Sequence, residues 1–168
     1  ETPLSIYSKT AKGKNSFLLE SVEGGEQWGR YSIIGLPAKI TLIVRGHEVT
    51  IKENGAVIKQ KIVDDPLTFI EEYQAQFDPP PAGLLPRFSG GLVGYFGYDT
   101  MRYVEPKLAL SSPPDPLELP DIYLLQVDEF IIFDNLKGEM QLVKYAKNQS
   151  KTELQAANSY LDDLERCL

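Results

Sequence analysis

The chain reads as an α+β protein, mostly antiparallel sheet with a few packed helices, carried as one lobe over residues 1–168. Three features predict this. Runs of alternating apolar and polar residues recur through the first half, the period of a half-buried strand. One of them folds back through Asn54-Gly55, the preferred pair for a type I′ hairpin turn, because both positions need positive φ. Helical patterns are sparse and follow runs of strands instead of alternating with them, which argues against a parallel βαβ sheet.

The elements follow in order. Residues 16–23 hold the apolar run Phe17-Leu18-Leu19, which gives way to Glu20-Ser21. Residues 30–36 contain Tyr31-Ser32-Ile33-Ile34, a second strand. Ile40, Leu42 and Val44 then alternate with Lys39, Thr41 and Arg45, and Gly46-His47 makes the turn. The Asn54-Gly55 register pairs Lys52 with Val57 and Ile51 with Ile58. It buries Val49, Ile51 and Ile58, and exposes Thr50, Lys52 and Lys59.

Asp65 caps a helix that Pro66 opens, since the first turn does not need that missing N–H. Pro66, Ile70, Tyr73 and Phe77 mark its face, and Asp78-Pro79-Pro80-Pro81 ends it. Residues 88–98 read as a strand with glycines at close approaches, and 106–120 as an irregular proline-rich stretch. Ile122 to Phe133 reads as one long apolar strand, turned through Asp134-Asn135-Leu136-Lys137-Gly138 into a partner at 139–146. Ser150 and Glu153 predict a capping box. Leu154, Ala157, Leu161, Leu164 and Leu168 then follow helical spacing. The pattern runs up to Leu168, and the first residue is Glu1, so the chain is expected to be a piece of a longer protein.

Bulk properties exclude several classes. The net charge is −7, with 24 acidic and 17 basic residues, so the chain lacks the basic surface that phosphate backbones require, and no nucleic acid is expected. No apolar run approaches the roughly 20 residues of a membrane helix, and no membrane association is expected. The single cysteine, Cys167, cannot form an internal disulfide, which fits a reducing, cytoplasmic setting. The sequon at Asn148-Gln149-Ser150 is then a chance match.

Chemistry is scarce. One histidine, His47, and one distant cysteine make a metal site or a nucleophilic triad unexpected, and His47 reads as a solvated turn residue. Gly91, Gly94 and Gly97 fit neither a dinucleotide fingerprint nor a P-loop, and read as close packing. Carboxylate pairs such as Asp64-Asp65, Glu71-Glu72 and Asp162-Asp163 fall at helix starts or on helix faces. The segment 18–32 is different. An apolar strand runs into carboxylates, the Ser21 hydroxyl and a glycine pair, with Arg30 close behind. Such a set can hold both ends of a zwitterionic amino acid, although a strand and polar turn explain it as well.

Glu1-Thr-Pro-Leu-Ser5, Ser16-Phe-Leu-Leu-Glu-Ser-Val-Glu23, Trp28-Gly-Arg-Tyr-Ser-Ile-Ile-Gly35, Gly90-Gly-Leu-Val-Gly-Tyr-Phe-Gly-Tyr-Asp99 and the stretch Leu119–Gly138 occur in an order that resembles the opening of the anthranilate synthase component I family. The resemblance spans nearly the whole chain. It implies the amino-terminal lobe of a two-domain sandwich, non-catalytic in itself. The parent enzyme, a lyase, makes anthranilate and pyruvate from chorismate and glutamine-derived ammonia in tryptophan biosynthesis. The resemblance further implies that Ser21 contacts an inhibitory L-tryptophan, with Leu19 and Glu20 beside it and Arg30 at its carboxylate. The other half of that site, the magnesium carboxylates and all catalytic groups are implied to lie on the chain's own carboxyl-terminal chorismate-binding domain. No cofactor or metal is therefore expected here. A glutamine amidotransferase subunit, component II, is the implied partner. Competing readings are the equivalent lobe of aminodeoxychorismate synthase, an interaction module without ligand, and a self-sufficient enzyme. Feedback by tryptophan separates the first rival, and turnover of chorismate by this chain would mark the last.

Overall fold

The computed structural model describes residues 2–21, 29–78, 80–81, 83–86, 88–105, 107–108, 115–146 and 148–168. Contacts divide the chain into two compact units, Glu1–Ala38 with Val127–Leu168, and Lys39–Gln126. The reading of residues 1–168 as one lobe does not anticipate this division.

The first unit is discontinuous in sequence. Its strands are β1 (Phe17–Glu20), β2 (Tyr31–Gly35), β8 (Glu129–Asp134) and β9 (Glu139–Lys144), adjacent in that order and all antiparallel. Helices α1 (Pro3–Thr10) and α4 (Lys151–Cys167) complete it. The sequence reading has no helix before residue 16, yet α1 carries a full start signal. Thr2 Oγ1 accepts from the Ser5 amide at 3.2 Å, Ser5 Oγ accepts from the Thr2 amide at 3.1 Å, and Pro3 occupies the first turn. The helix is kept by Ile6, fully buried in a cluster with Ala11, Ile34, Leu36 and Ile131. Burying such a side chain contributes about 2 kcal/mol. At α4, Ser150 Oγ accepts from the Glu153 amide at 3.3 Å, the first half of the predicted box. Ala157 is buried and Leu164 and Leu168 pack on the same cluster, but Leu154 is exposed.

Across β8 and β9 the carboxylate of Glu129 holds the Lys144 ammonium, and both side chains are largely buried. The Tyr160 ring lies 4.2 Å from that ammonium. Burial, and then a hydrogen bond to Glu129, pushes the Tyr160 phenol above its usual range.

The second unit is one continuous segment. It holds β3 (Ile40–Arg45), β4 (Glu48–Glu53), β5 (Ala56–Ile62), β6 (Gly91–Phe96) and β7 (Ile122–Val127), ordered β5-β4-β3-β7-β6. Helices α2 (Pro66–Gln74) and α3 (Met101–Val104) and a 3₁₀ turn at Tyr98–Thr100 join them. Leu42, Val44, Val49, Ile51, Ile122 and Leu124 form its core with Ile70 of α2. Asp65 caps α2 as expected, accepting from the Leu67 amide at 2.9 Å and from Thr68 Oγ1 at 2.7 Å. Phe77 lies beyond the helix and is exposed, touching Tyr73 edge to face.

Two strand expectations need correction. The run Ile122 to Phe133 is not one strand. It splits around Asp128 into β7 and β8, which pair in different sheets. Gln126, Asp128 and Glu129 interrupt the run, but they do not reveal that its two halves join different sheets. The Asn54-Gly55 hairpin forms with Lys52 opposite Val57, but an irregularity between Ile51 and Lys52 sets Ile51 opposite Lys59. Ile58 is 56% exposed instead of buried, and every other residue of β5 is exposed too. The one-residue slip moves the whole far end of β5 to the other register.

Candidate functional site

The residues singled out from the sequence sit at one end of the four-stranded sheet. Leu19 and Glu20 end β1, opposite Ile33 and Ser32 of β2, and Ser21 follows. β1 is an edge strand, so among the described residues one side of its backbone has no strand neighbour. Alternation puts the Leu19 and Glu20 side chains on opposite faces. Leu19 is 45% exposed, and Glu20 and Ser21 are exposed as well. Residues 22–28, which include Glu23, the glycine pair and Trp28, lie outside the described residues.

The chain on the far side of that segment meets Ser21 directly. A Cβ on Gly29 would lie 1.7 Å from the Ser21 carbonyl oxygen, so only glycine permits this approach. Ser21 and the start of β2 are thus in contact.

Arg30 points elsewhere. Its Nη2 donates to Asp134 Oδ2 at 2.9 Å and its Nε to the same oxygen at 3.2 Å, with the guanidinium 4.9 Å from the Tyr31 ring centre. Asp134 ends β8, and β2 lies between β8 and β1, so the guanidinium is turned away from the strand bearing Leu19 and Glu20. Asp134 Oδ1 also accepts from the amides of Leu136 at 3.1 Å and Lys137 at 3.2 Å. The Arg30 hydrogen bond first, and these amides after it, hold the Asp134 carboxyl below its usual range. Next along, the Asn135 amide donates to the Arg30 carbonyl at 2.7 Å. Asn135 Nδ2 donates to the Gly29 carbonyl at 3.0 Å and to Ser32 Oγ at 3.1 Å. The last bond satisfies a hydroxyl on a residue only 2% exposed. Sequence reasoning sees Asp134-Asn135 as a turn alone. No local signal could reveal a partner more than a hundred positions upstream.

The second unit holds a cavity of about 510 Å³ lined by Gly46, His47, Asp64, Asp65, Asp99, Arg102, Tyr103 and Asp121. Most of its polar groups hold one another. Asp121 Oδ2 accepts from the Gly46 amide at 2.6 Å and from the Tyr103 hydroxyl at 2.9 Å. Arg102 pairs with Asp99 at 2.6 Å. Burial and then the Asp121 bond raise the Tyr103 phenol above its usual range. His47 is an exposed turn residue, as expected, and its Nδ1 lies 3.1 Å from the carbonyl oxygens of both Val63 and Asp64. Two carbonyl acceptors require the proton to be on Nδ1. Among the described residues, no three His, Cys, Asp or Glu side chains converge as a metal site. No helix among them is long and apolar enough to cross a membrane.

No protein-family model matches the chain. It is 48% identical over 164 residues to anthranilate synthase component 1 of Pseudomonas aeruginosa, which covers 98% of this chain and 33% of the relative. It is 50% identical over 159 residues to the protein of the same name from Pseudomonas putida, covering 93% of this chain and 32% of that one. With the Acinetobacter calcoaceticus protein it shares 44% over 171 residues. The chain thus spans about a third of the length of the curated relatives it matches. In three dimensions it is similar to the crystal structure of anthranilate synthase component I from Streptococcus pneumoniae, with a TM-score of 0.59 and 24% identity over 98% of this chain and 35% of that one. At that identity the likeness speaks for the fold.

Proposed function

We propose that this chain, which belongs to the anthranilate synthase component I family, is its non-catalytic amino-terminal lobe and carries half of a feedback site for L-tryptophan. The observation that carries the reading is similarity along essentially the whole chain, at 48% identity, to only a third of a relative of that name. A lobe of a larger enzyme fits this better than an independent protein does.

Within the half-site, Ser21 is the direct contact, supported by Leu19, Glu20 and Arg30. The edge position of β1 suits the task, since backbone at a sheet edge and a short hydroxyl can meet an amino acid's ammonium and carboxylate together. Strand alternation sharpens the assignment. Leu19 and Glu20 face opposite sides of β1, so only one of the two side chains can turn toward a ligand beside Ser21. The parent enzyme forms anthranilate and pyruvate from chorismate in the cytoplasm. Its carboxyl-terminal domain supplies the catalytic groups, the magnesium ligands and the rest of the effector site, and component II delivers ammonia. Tryptophan inhibits by binding one arrangement of the lobes better than the other, since only differential affinity can shift such an equilibrium.

The test is titration of the isotope-labelled chain with L-tryptophan, followed through backbone amides by NMR, with chorismate as the control. Shifts confined to residues around 19–21 and 30, absent with chorismate, support the reading. Specific shifts from chorismate would show that this chain holds part of the catalytic site.

A further inference from the structure

We propose that Asp134 and Asn135, at the turn between β8 and β9, are the positioning residues of the effector half-site, and that Arg30 serves it as a strut bound to Asp134 and not as a ligand to the effector's carboxylate. The inference rests on the tryptophan reading above and assigns each of these groups its part in that site.

Three observations carry it. The Arg30 fork is already engaged, with Nε and Nη2 on Asp134. Asp134 is fixed independently by the Leu136 and Lys137 amides, and its side chain is only 12% exposed against 47% for Arg30. Moving the guanidinium to a ligand would take from Asp134 its counter-charge and its charge-assisted hydrogen bonds. Asn135 ties the next layer through its bonds to the carbonyls of Gly29 and Arg30 and to the Ser32 hydroxyl. Gly29 in turn abuts the Ser21 carbonyl. A continuous path of contacts therefore runs from the hairpin turn through residues 29–32 to Ser21. The guanidinium lies at the β8 end of that path, on the side of β2 away from β1. Arg30 acts on the ligand through the backbone it holds, and so do Asp134 and Asn135.

Charge exchange separates a strut from a ligand. In the full-length protein that contains this chain, L-tryptophan affinity is measured by calorimetry for the wild type, Arg30→Asp, Asp134→Arg and the exchanged pair Arg30→Asp/Asp134→Arg, with a melting curve for each. Each single variant is expected to weaken tryptophan by about tenfold or more, the scale of one charge-assisted hydrogen bond. The exchange is expected to recover part of the loss, because the ion pair is restored with its ends reversed while the Leu136 and Lys137 amides lose their acceptor. A ligand-binding arginine could not be rescued that way, so an exchanged protein that melts like the wild type and still binds poorly overturns the proposal. Asn135→Ala gives an independent reading should the exchange not fold. It is expected to weaken tryptophan several-fold while the KM for chorismate stays put, and unchanged tryptophan affinity in this variant counts against the positioning role. Failure of the wild type itself to bind tryptophan removes the functional reading and this inference together. Normal wild-type binding with unaffected Asp134→Arg removes this inference alone.

Discussion

The four-stranded sheet takes β1 and β2 from one end of the chain and β8 and β9 from the other, whereas the five strands β3 to β7 come from one uninterrupted segment. Their edges differ too. β5, an edge of the five-stranded sheet, is exposed along its length, carries Lys59 and Lys61, and pairs irregularly with β4. Lysines and irregular pairing are the ordinary means of keeping an edge from pairing with another chain. β1, an edge of the other sheet, is short, ends in Leu19-Glu20 and has no lysine. The difference teaches that the two sheets end in different ways: one edge is exposed, lysine-bearing and irregularly paired, and the other is a short strand without lysine.

The sharpest way to break this comparison is through β8, the strand supplied by the distant segment. Phe130 is fully buried opposite Gly35. Phe130→Ala is expected to cost about 3–5 kcal/mol in urea unfolding. A loss near zero would mean that the first unit does not depend on its distant half. Lys144→Ala should come next, at about 3 kcal/mol, because it takes the counter-charge from the buried Glu129 carboxylate and removes the cation over Tyr160. Replacing both partners, as in Glu129→Gln/Lys144→Met, should recover much of that loss, and a double-mutant cycle reads it.

In the second unit, a Cβ on Gly94 would lie 1.9 Å from the Tyr123 carbonyl oxygen. Gly94→Ala must push β6 off β7, and about 1–3 kcal/mol is expected from thermal unfolding. Smaller still is an acid effect at the candidate site. The depressed Asp134 carboxyl contributes stability that is full above the ordinary carboxylate range, about pH 4, and fades as pH falls through its lowered value. Arg30→Gln removes the principal cause, so the acid limb of a melting-temperature profile should flatten below about pH 4 and stay unchanged in shape above about pH 6. The least effect belongs to β5, where Ile58→Ser should stay within about 0.5 kcal/mol by urea unfolding. A larger cost there would show that this edge is covered in solution.

The comparison also explains what could be read in advance. Thr2, Asp65 and Ser150 each cap a helix through a bond to an amide two or three positions on. The Asn54-Gly55 turn has the positive φ its residues favour, at 51° and 85°. These signals act within a few residues and are legible in a window of sequence, α1 included. Leu19, Glu20 and Ser21 were visible as a polar end to an apolar strand for the same reason. The partners of Arg30 were not, since Asp134 reaches it only after β2 and β8 have paired.

The sequence by itself determined the α+β character, the hairpin, the capped helices and the position of the open strand end, because side-chain period and cap chemistry are local properties of the chain. Tertiary structure alone decided that Ile122–Phe133 divides between two sheets, that β5 slips by one residue, and that Arg30 is held by Asp134. Each of those outcomes depends on which distant backbone is adjacent. An apolar residue is equally content against any apolar neighbour, and a guanidinium with any carboxylate, so the choice among partners is made only when the sheets assemble.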